Sequence, residues 1–362
     1  MASAAAVSFH QTLPPPLQHR RLGPTPPRCT HSERGVSFDP GSAFYRSESA
    51  PGRDLAVLAA TIHRRRRLDP SGPFLCLDAM CGCGIRALRY LAQAGADFVW
   101  ANDASDALRP VVVGNLSRFE PEPLDGQRRW VVSHLDATRL LAERYLRREY
   151  FDVIDVDSFG SEAEYIRAAF LALKIGGLLY LTSTDWRSAR GYGGKWWCCT
   201  GSSDVGISHN TSILLLCISR SYFPSNDTTA PWKRRWYQDA TSITVVGPLW
   251  TGPLHDASSI TEMLNLAVEW GWAYTTGNGV TLEKLLVTMI DESDLRLPPG
   301  YIRLDEIASR AKVNSPPLGT LINSLQKEGY AACRSHIGAN AIKTNCPITS
   351  CIEVAREIRN LR

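Results

Sequence analysis

The stretch from Leu77 to Gly95, LDAMCGCGIRALRYLAQAG, limits the fold more than any other part of this 362-residue chain. An apolar run from Phe74 to Leu77 reaches an acid, Asp78, and enters a loop containing Gly82 and Gly84. A helical pattern follows, with Ile85, Leu88 and Leu91 on one face. Glycines at such a turn admit backbone conformations and close ligand approaches that a Cβ would forbid. Strand, tight loop and helix in this order form the opening unit of a doubly wound α/β sheet.

The alternation recurs. After FLCLDA (74–79), the segments FVWAND (98–103), WVVSHLDA (130–137), FDVIDVDSFG (151–160) and GLLYLTST (177–184) read as strands. Helical stretches begin near Ile85, Ser105, Thr138 and Glu162. Near-continuous apolar strands separated by helices predict a parallel sheet buried on both faces. Asp78, Asp103, Asp136 and Asp157 stand in or beside the strand ends. One such acid is commonly a helix cap. A succession of them at the carboxyl ends of parallel strands, where such sheets bind ligands, predicts a binding crevice.

The flanks read differently. Residues 1–35 are rich in Ala, Ser, Pro and Arg, hold no acid before Glu33 and lack the apolar core of a secretory signal. That composition predicts a disordered transit peptide outside the fold and a chloroplast location, with mitochondrion or nucleus as alternatives. Arg53 and Asp54 open a helical pattern just ahead of the first strand, placed to fold over the glycine loop. That helix closes on Arg64 to Arg67, which suit either phosphate or the helix's own carboxyl end.

Residues 186–240 show no steady period. SILLLCISRSYF is compatible with a strand or a short buried helix, and Trp232 to Tyr237 interleave bases with aromatics, as a stacking surface for RNA or a plain surface loop would. Order returns with GPLWTGPLHD (247–256) and helical patterns around Ile260–Trp270 and Leu282–Asp291. Tyr301 to Tyr330 reads as helix, turn, helix, and the segment after it supplies a wing with Arg334, His336 and Lys343 available to phosphates. The expected division is therefore a catalytic domain over 36–245 and a smaller, winged-helix-like α+β domain over 246–362.

Bulk properties exclude little. A formal charge of +4 permits a nucleic-acid partner without requiring one. No run approaches the roughly 18 apolar residues of a membrane span. The ten cysteines are scattered, without C-x-x-C spacing, so neither a disulfide framework nor a metal site is expected.

Two cofactors fit the first loop. Gly82-x-Gly84-x-x-Ala87, with Asp103 about 20 residues on, matches the dinucleotide fingerprint of an NAD-dependent oxidoreductase. S-adenosylmethionine also needs close backbone approach and an acid on its ribose, and Asp78 and Asp136–Ala137 suit its amino group and adenine. The fourth strand separates the two. DVDSFGS sets Asp157 and Phe159 where methyltransferases acting on exocyclic amines keep an acid–x–aromatic motif. A guanine or adenine amino nitrogen is a poor nucleophile, because its lone pair is delocalised into the ring. A carboxylate against its N–H orients that lone pair and receives the proton. An aromatic face stacks on a base turned out of its helix.

Together, LDAMCGCGIRALRY, WANDAS, HLDAT, FDVIDVDSFGS, GGLLYLTSTD, VVGPLWTGPLHD and PPLGTLINSLQKEGYAACRSHIGANAIKTN resemble the tRNA guanine-26 N2-dimethyltransferases. The resemblance runs from about Phe44 to Cys346, apart from the middle. It implies a Rossmann-like class I methyltransferase fold and transfer of one or two methyls to N2 of guanine 26. It implies that Arg53, Arg86, Asp103, Asp136 and Ala137 bind S-adenosylmethionine, alongside Asp78 and Gly82 in the first loop, and that Asp157 is the catalytic acid with Phe159 beside it. The implied partner is tRNA, with no DNA or membrane, and a monomer is expected.

The chain departs from the family pattern twice. Ser158 stands where family members usually have proline, which removes a backbone constraint. Residues 186–240 have no good counterpart to the family's last two sheet strands or to the four-cysteine zinc site many members carry there. Matches resume abruptly at Val245, as in an alternatively spliced product. Such a product would lack the antiparallel sheet edge and would bind tRNA with impaired turnover.

Overall fold

The computed structural model describes residues 30–67, 69–119, 128–158, 163–183, 212–217, 232–239, 242–250, 255–274, 281–298, 300–338 and 340–360. A hairpin, β1 (His31–Glu33) and β2 (Val36–Phe38), precedes helix α1 (Ala50–Arg66). The sheet domain then runs β3 (Leu75–Asp78), α2 (Ile85–Ala92), β4 (Phe98–Asn102), α3 (Arg109–Leu116), β5 (Trp130–Ser133), α4 (Ala137–Leu146), β6 (Phe151–Ser158), α5 (Ala163–Ala172) and β7 (Leu173–Ser183). Strand β8 (Ser212–Cys217) completes a six-stranded sheet of order β5-β4-β3-β6-β7-β8. The pairs from β5 to β7 are parallel, and β8 is antiparallel to β7.

The antiparallel edge expected to be missing is therefore present. Its register is unbroken from Ser183↔Ser212 to Leu178↔Cys217. The run SILLLC adds to β7 as a strand because the open edge offers unpaired backbone groups that a short apolar segment can satisfy. A second hairpin, β9 (Trp232–Asp239) and β10 (Ser242–Trp250), carries the basic–aromatic stretch in a separate two-stranded sheet.

Sequence alternation builds the layers. Cys76, Val153, Leu178 and Tyr180 face one core, shared with α1, α2 and α3, while their neighbours Leu77, Ile154, Leu179 and Leu181 face a second core under α4 and α5. This two-sided burial explains why the strands read as continuous apolar runs.

Helices α6 (Ala257–Glu269) and α7 (Leu282–Asp291) contribute Ile260, Met263, Leu266, Leu286 and Met289 to the first of these cores. The sheet domain's core thus extends past the boundary expected at 245. A separate core begins at Leu304. It belongs to β11 (Ile302–Arg303), α8 (Leu304–Ala311), α9 (Leu318–Lys327), β12 (Ala332–Arg334), β13 (Ala341–Thr344) and α10 (Ile348–Asn360). The three strands pair in the order β11-β13-β12, so the expected helix, turn, helix is followed by an antiparallel hairpin.

The described fold also begins before residue 36. Glu33 accepts from Arg53 and Arg89, and Asp54 accepts from Arg34 and Arg89, with Arg89 wholly buried. Charges removed from water must be paired. Glu33 and Arg34 thus belong to the fold, and this network fastens the first hairpin to α1 and α2.

Most of the arginine run has a structural role. Arg66 pairs with Glu262 on α6, Arg64 faces Asp97, and Arg67 donates to the carbonyls of Pro70 and Gly72.

Candidate active site

The site is built at the carboxyl ends of β3, β4, β5 and β6. Asn102, wholly buried, holds three of them together: its amide donates to the carbonyls of Ala79 and Leu135, and its oxygen accepts from Leu135 N and Ser133 Oγ. Around this knot the chain turns through Cys81–Gly84. Gly82 and Gly84 both take positive φ, +54° and +82°. A Cβ on Gly82 would meet nothing among the described residues within 4 Å, so the loop presents bare backbone there.

Asp103 fixes the loop. Its Oδ2 accepts from Gly82 N at 2.9 Å and its Oδ1 from Ser105 N at 2.9 Å. Asp78 is wholly buried beneath the loop. Its Oδ2 accepts from Ala87 N at 3.1 Å, whereas its Oδ1 has no partner among the described residues. Burial, and then the nearby Asp155 carboxylate, push the Asp78 carboxyl well above its ordinary range. A cation reaching Oδ1 would reverse that shift, since an opposite charge favours the ionised form.

Asp136 is exposed and caps α4, accepting from Arg139 N at 3.0 Å, and Ala137 is buried behind it. The cap and the ligand reading are compatible, because a carboxylate has four lone-pair sites. His134, which the sequence did not single out, lies between these acids. Its Nδ1 is 3.0 Å from the carbonyl of Asp103, and its buried Nε2 has no partner among the described residues.

Asp157, one residue from the end of β6, has its side chain 43% exposed. Its Oδ2 lies 2.8 Å from Arg86 Nη2, and its Oδ1 accepts from the Thr182 hydroxyl on β7. Arg86 also donates to both oxygens of the buried Asp155, at 2.9 and 3.1 Å. Phe159, the expected stacking partner, lies outside the described residues. Ser158 is buried, and its hydroxyl donates to the carbonyl of Thr182 at 3.2 Å. The position where proline is usual is therefore braced across to the neighbouring strand.

Two expected cofactor ligands are engaged elsewhere. Arg86 spends its guanidinium on Asp155 and Asp157, because a buried carboxylate at 155 demands a counter-charge. Arg53 donates through Nε and Nη2 to Glu33, at 3.0 and 2.7 Å, and to the carbonyl of Arg46. Asp78, Gly82 and Asp103 do converge on one loop.

In the C-terminal region, His336 and Lys343 do not project toward solvent as expected. His336 Nδ1 and His255 Nε2 lie 2.8 and 3.1 Å from Glu292 Oε2, and the buried Lys343 Nζ is 3.8 Å from the same oxygen. These His and Glu atoms could in principle hold a metal ion. The carboxylate already takes three hydrogen bonds, from both rings and from the His336 backbone N–H at 2.6 Å, and Lys343 supplies positive charge beside it. Arg334 remains exposed.

A parallel sheet of this order with an antiparallel last strand, an acid-lined glycine loop and a partly exposed acid near the carboxyl end of the fourth parallel strand define a Rossmann-like class I methyltransferase. The particular family follows from comparison. The profile of the N2,N2-dimethylguanosine tRNA methyltransferases matches residues 28–201 and 199–356, and the chain belongs to that family. The tRNA (guanine(26)-N(2))-dimethyltransferase of Pyrococcus furiosus is 26% identical over 87% of this chain and 92% of its own length. The enzyme of the same name from Methanothermobacter thermautotrophicus is 27% identical, over 86% and 92%. Among solved structures, Trm1 from Pyrococcus horikoshii in complex with S-adenosyl-L-methionine shares the fold, with a TM-score of 0.66 and 23% identity over 90% of this chain and 98% of that one.

Proposed function

We propose that the chain transfers methyl groups from S-adenosylmethionine to the exocyclic N2 of guanine 26 in tRNA, adding one or two. One observation carries the reading: Asp157 stands partly exposed one residue from the end of the fourth parallel strand, and the buried Asp78 at the end of the first has an oxygen with no partner among the described residues.

The residues present fit the cofactor. Asp78 Oδ1 suits its ammonium group, the bare backbone at Gly82 admits close approach, and Asp103 suits the ribose hydroxyls. Asp136 and Ala137 stand at the adenine end. When bound, S-adenosylmethionine would supply an electrophilic methyl group, its methyl–sulfur bond breaking and the electron pair leaving on sulfur as a neutral thioether. The protein's part is to hold the guanine amine in line and to manage its proton. The Asp157 carboxylate accepts an N–H hydrogen bond, which turns the nitrogen lone pair toward the methyl, and takes the proton as the new N–C bond forms. From Asp157 the proton passes to water, to which the half-exposed side chain has access.

The strand–helix–helix–hairpin unit at 302–344 suits the positioning of tRNA, with Arg334 on its surface. The composition of residues 1–35 supports a chloroplast location. Fusion of those residues to a fluorescent reporter tests it: import into plastids is expected, and cytosolic or mitochondrial signal contradicts it. For the activity, labelled S-adenosylmethionine and unmodified tRNA are the direct test. Incorporation is expected in wild-type tRNA and none where guanine 26 is replaced.

A further inference from the structure

We propose that Thr182 is a positioning residue for methyl transfer, the half of a two-sided clamp that sets the orientation of the Asp157 carboxylate. The proposal rests on the reading of Asp157 as proton acceptor. Asp157 on β6 and Thr182 on β7 are direct partners in the parallel register. Thr182 is 1% exposed, and its hydroxyl donates to Asp157 Oδ1. The opposite oxygen, Oδ2, is held by Arg86 at 2.8 Å. Each oxygen of the carboxylate is thus fixed by one donor from within the protein, and each keeps a further lone pair for a hydrogen bond from outside.

Three features make the threonine more than a bystander. A β-branched side chain in a strand has few rotamers, so burial locks the hydroxyl direction. The carbonyl of the same residue accepts from Ser158 Oγ at 3.2 Å, so the two strands are cross-tied at the point where Asp157 projects. That tie comes from the residue that replaces the family's usual proline. Finally, Arg86 cannot orient Asp157 alone, because its other nitrogen is bound to both oxygens of Asp155. With the Thr182 hydroxyl removed, the carboxylate pivots about one contact and rotates toward water. A general base misplaced by a fraction of an ångström loses rate while substrate binding is retained.

The test uses the full-length chain with Thr182→Val, Thr182→Ala, Thr182→Ser and Asp157→Ala. Thr182→Val keeps shape and removes the donor; Thr182→Ala repeats the loss should the valine not fold. The expected result is a kcat lowered roughly ten- to a hundredfold in both, from loss of a hydrogen bond to a charged acceptor. KM for tRNA and the affinity for S-adenosylmethionine should stay within about twofold. Thr182→Ser should recover most of the rate. Wild-type kcat in the donor-less variants, with Asp157→Ala inactive, would overturn the role of Thr182 and leave Asp157 as the base. Equal loss in Thr182→Ser would also overturn it, since the hydroxyl would then not be what matters. Full activity in Asp157→Ala would overturn both readings.

Discussion

Arg86 reaches from α2 across the sheet end and closes an ion pair with Asp157, Nη2 to Oδ2 at 2.8 Å, while its other nitrogen holds the buried Asp155. One guanidinium therefore links a residue of the fold's interior to a residue of the reaction. Tyr90, also buried, adds a hydrogen bond to Asp155 at 2.6 Å. The loop helix and the fourth strand are tied together beneath the site.

Arg86→Met should destabilise the protein by about 3–5 kcal/mol, because it leaves the Asp155 carboxylate buried without a counter-charge. The half-exposed Asp157 contributes little of this, as water screens it. Urea unfolding at neutral pH measures the loss. A change below 1 kcal/mol would show that Asp155 is not ionised in the folded state. Arg86→Lys should fall between, since a lysine keeps the charge without the planar fork.

Gly82→Val should cost about 1–2 kcal/mol of stability, the penalty of a left-handed backbone for a residue with a Cβ. No atom of the described residues lies within 4 Å of where that Cβ would go, so the fold survives. The added side chain occupies the open side of the loop, and affinity for S-adenosylmethionine should fall at least roughly tenfold, the equivalent of about 1.4 kcal/mol. Calorimetric titration reads this directly. Unchanged affinity would place the cofactor elsewhere.

Glu292 is the hinge of a second prediction about charge. Burial alone would raise its carboxyl, but hydrogen bonds from His255 and His336, with the charges of His336 and Lys343, hold it well below its ordinary value of 4.5. A folded-state value below the unfolded one gives stability that is complete above about pH 4.5 and is lost as pH falls below it. Glu292→Gln removes that contribution, together with the charge that His255, His336 and Lys343 converge on. The variant should lose about 3–5 kcal/mol at pH 7, and the gap to wild type should close as pH drops below 4.5. Denaturation across a pH series reads both. A gap independent of pH would show that the cluster holds by packing rather than by charge.

Much of the fold was legible because its cause is local. The pairs Cys76/Leu77, Val153/Ile154 and Leu178/Leu179 face two different cores, and that double burial leaves apolar runs in the sequence. The places of the acids Asp78, Asp103 and Asp157 in the fold were legible for a related reason: each stands at or next to the carboxyl end of a strand. What escaped depends on long-range pairing. Nothing adjacent to Glu33 or Arg34 marks them as buried partners of Arg89 and Asp54, so they read as the end of a basic tail. His336 and Lys343 read as surface cations because their partner, Glu292, lies more than forty residues away in another element. Arg86 was expected to point at a ligand, whereas the fourth strand's acids claim its guanidinium. The edge strand Ser212–Cys217 is a short apolar run, and periodicity does not separate a strand from a buried helix at that length.

The central claim is that Asp157 accepts the proton of a guanine amine during methyl transfer. Its most direct test is the rate of methyl incorporation into unmodified tRNA by wild type and Asp157→Ala, with cofactor affinity measured on the same samples. Guanine-26-dependent incorporation is expected of the wild type. In the variant kcat should be lower by roughly a hundredfold or more, the usual worth of a general base, at unchanged affinity for S-adenosylmethionine. Incorporation by Asp157→Ala at the wild-type rate would contradict it.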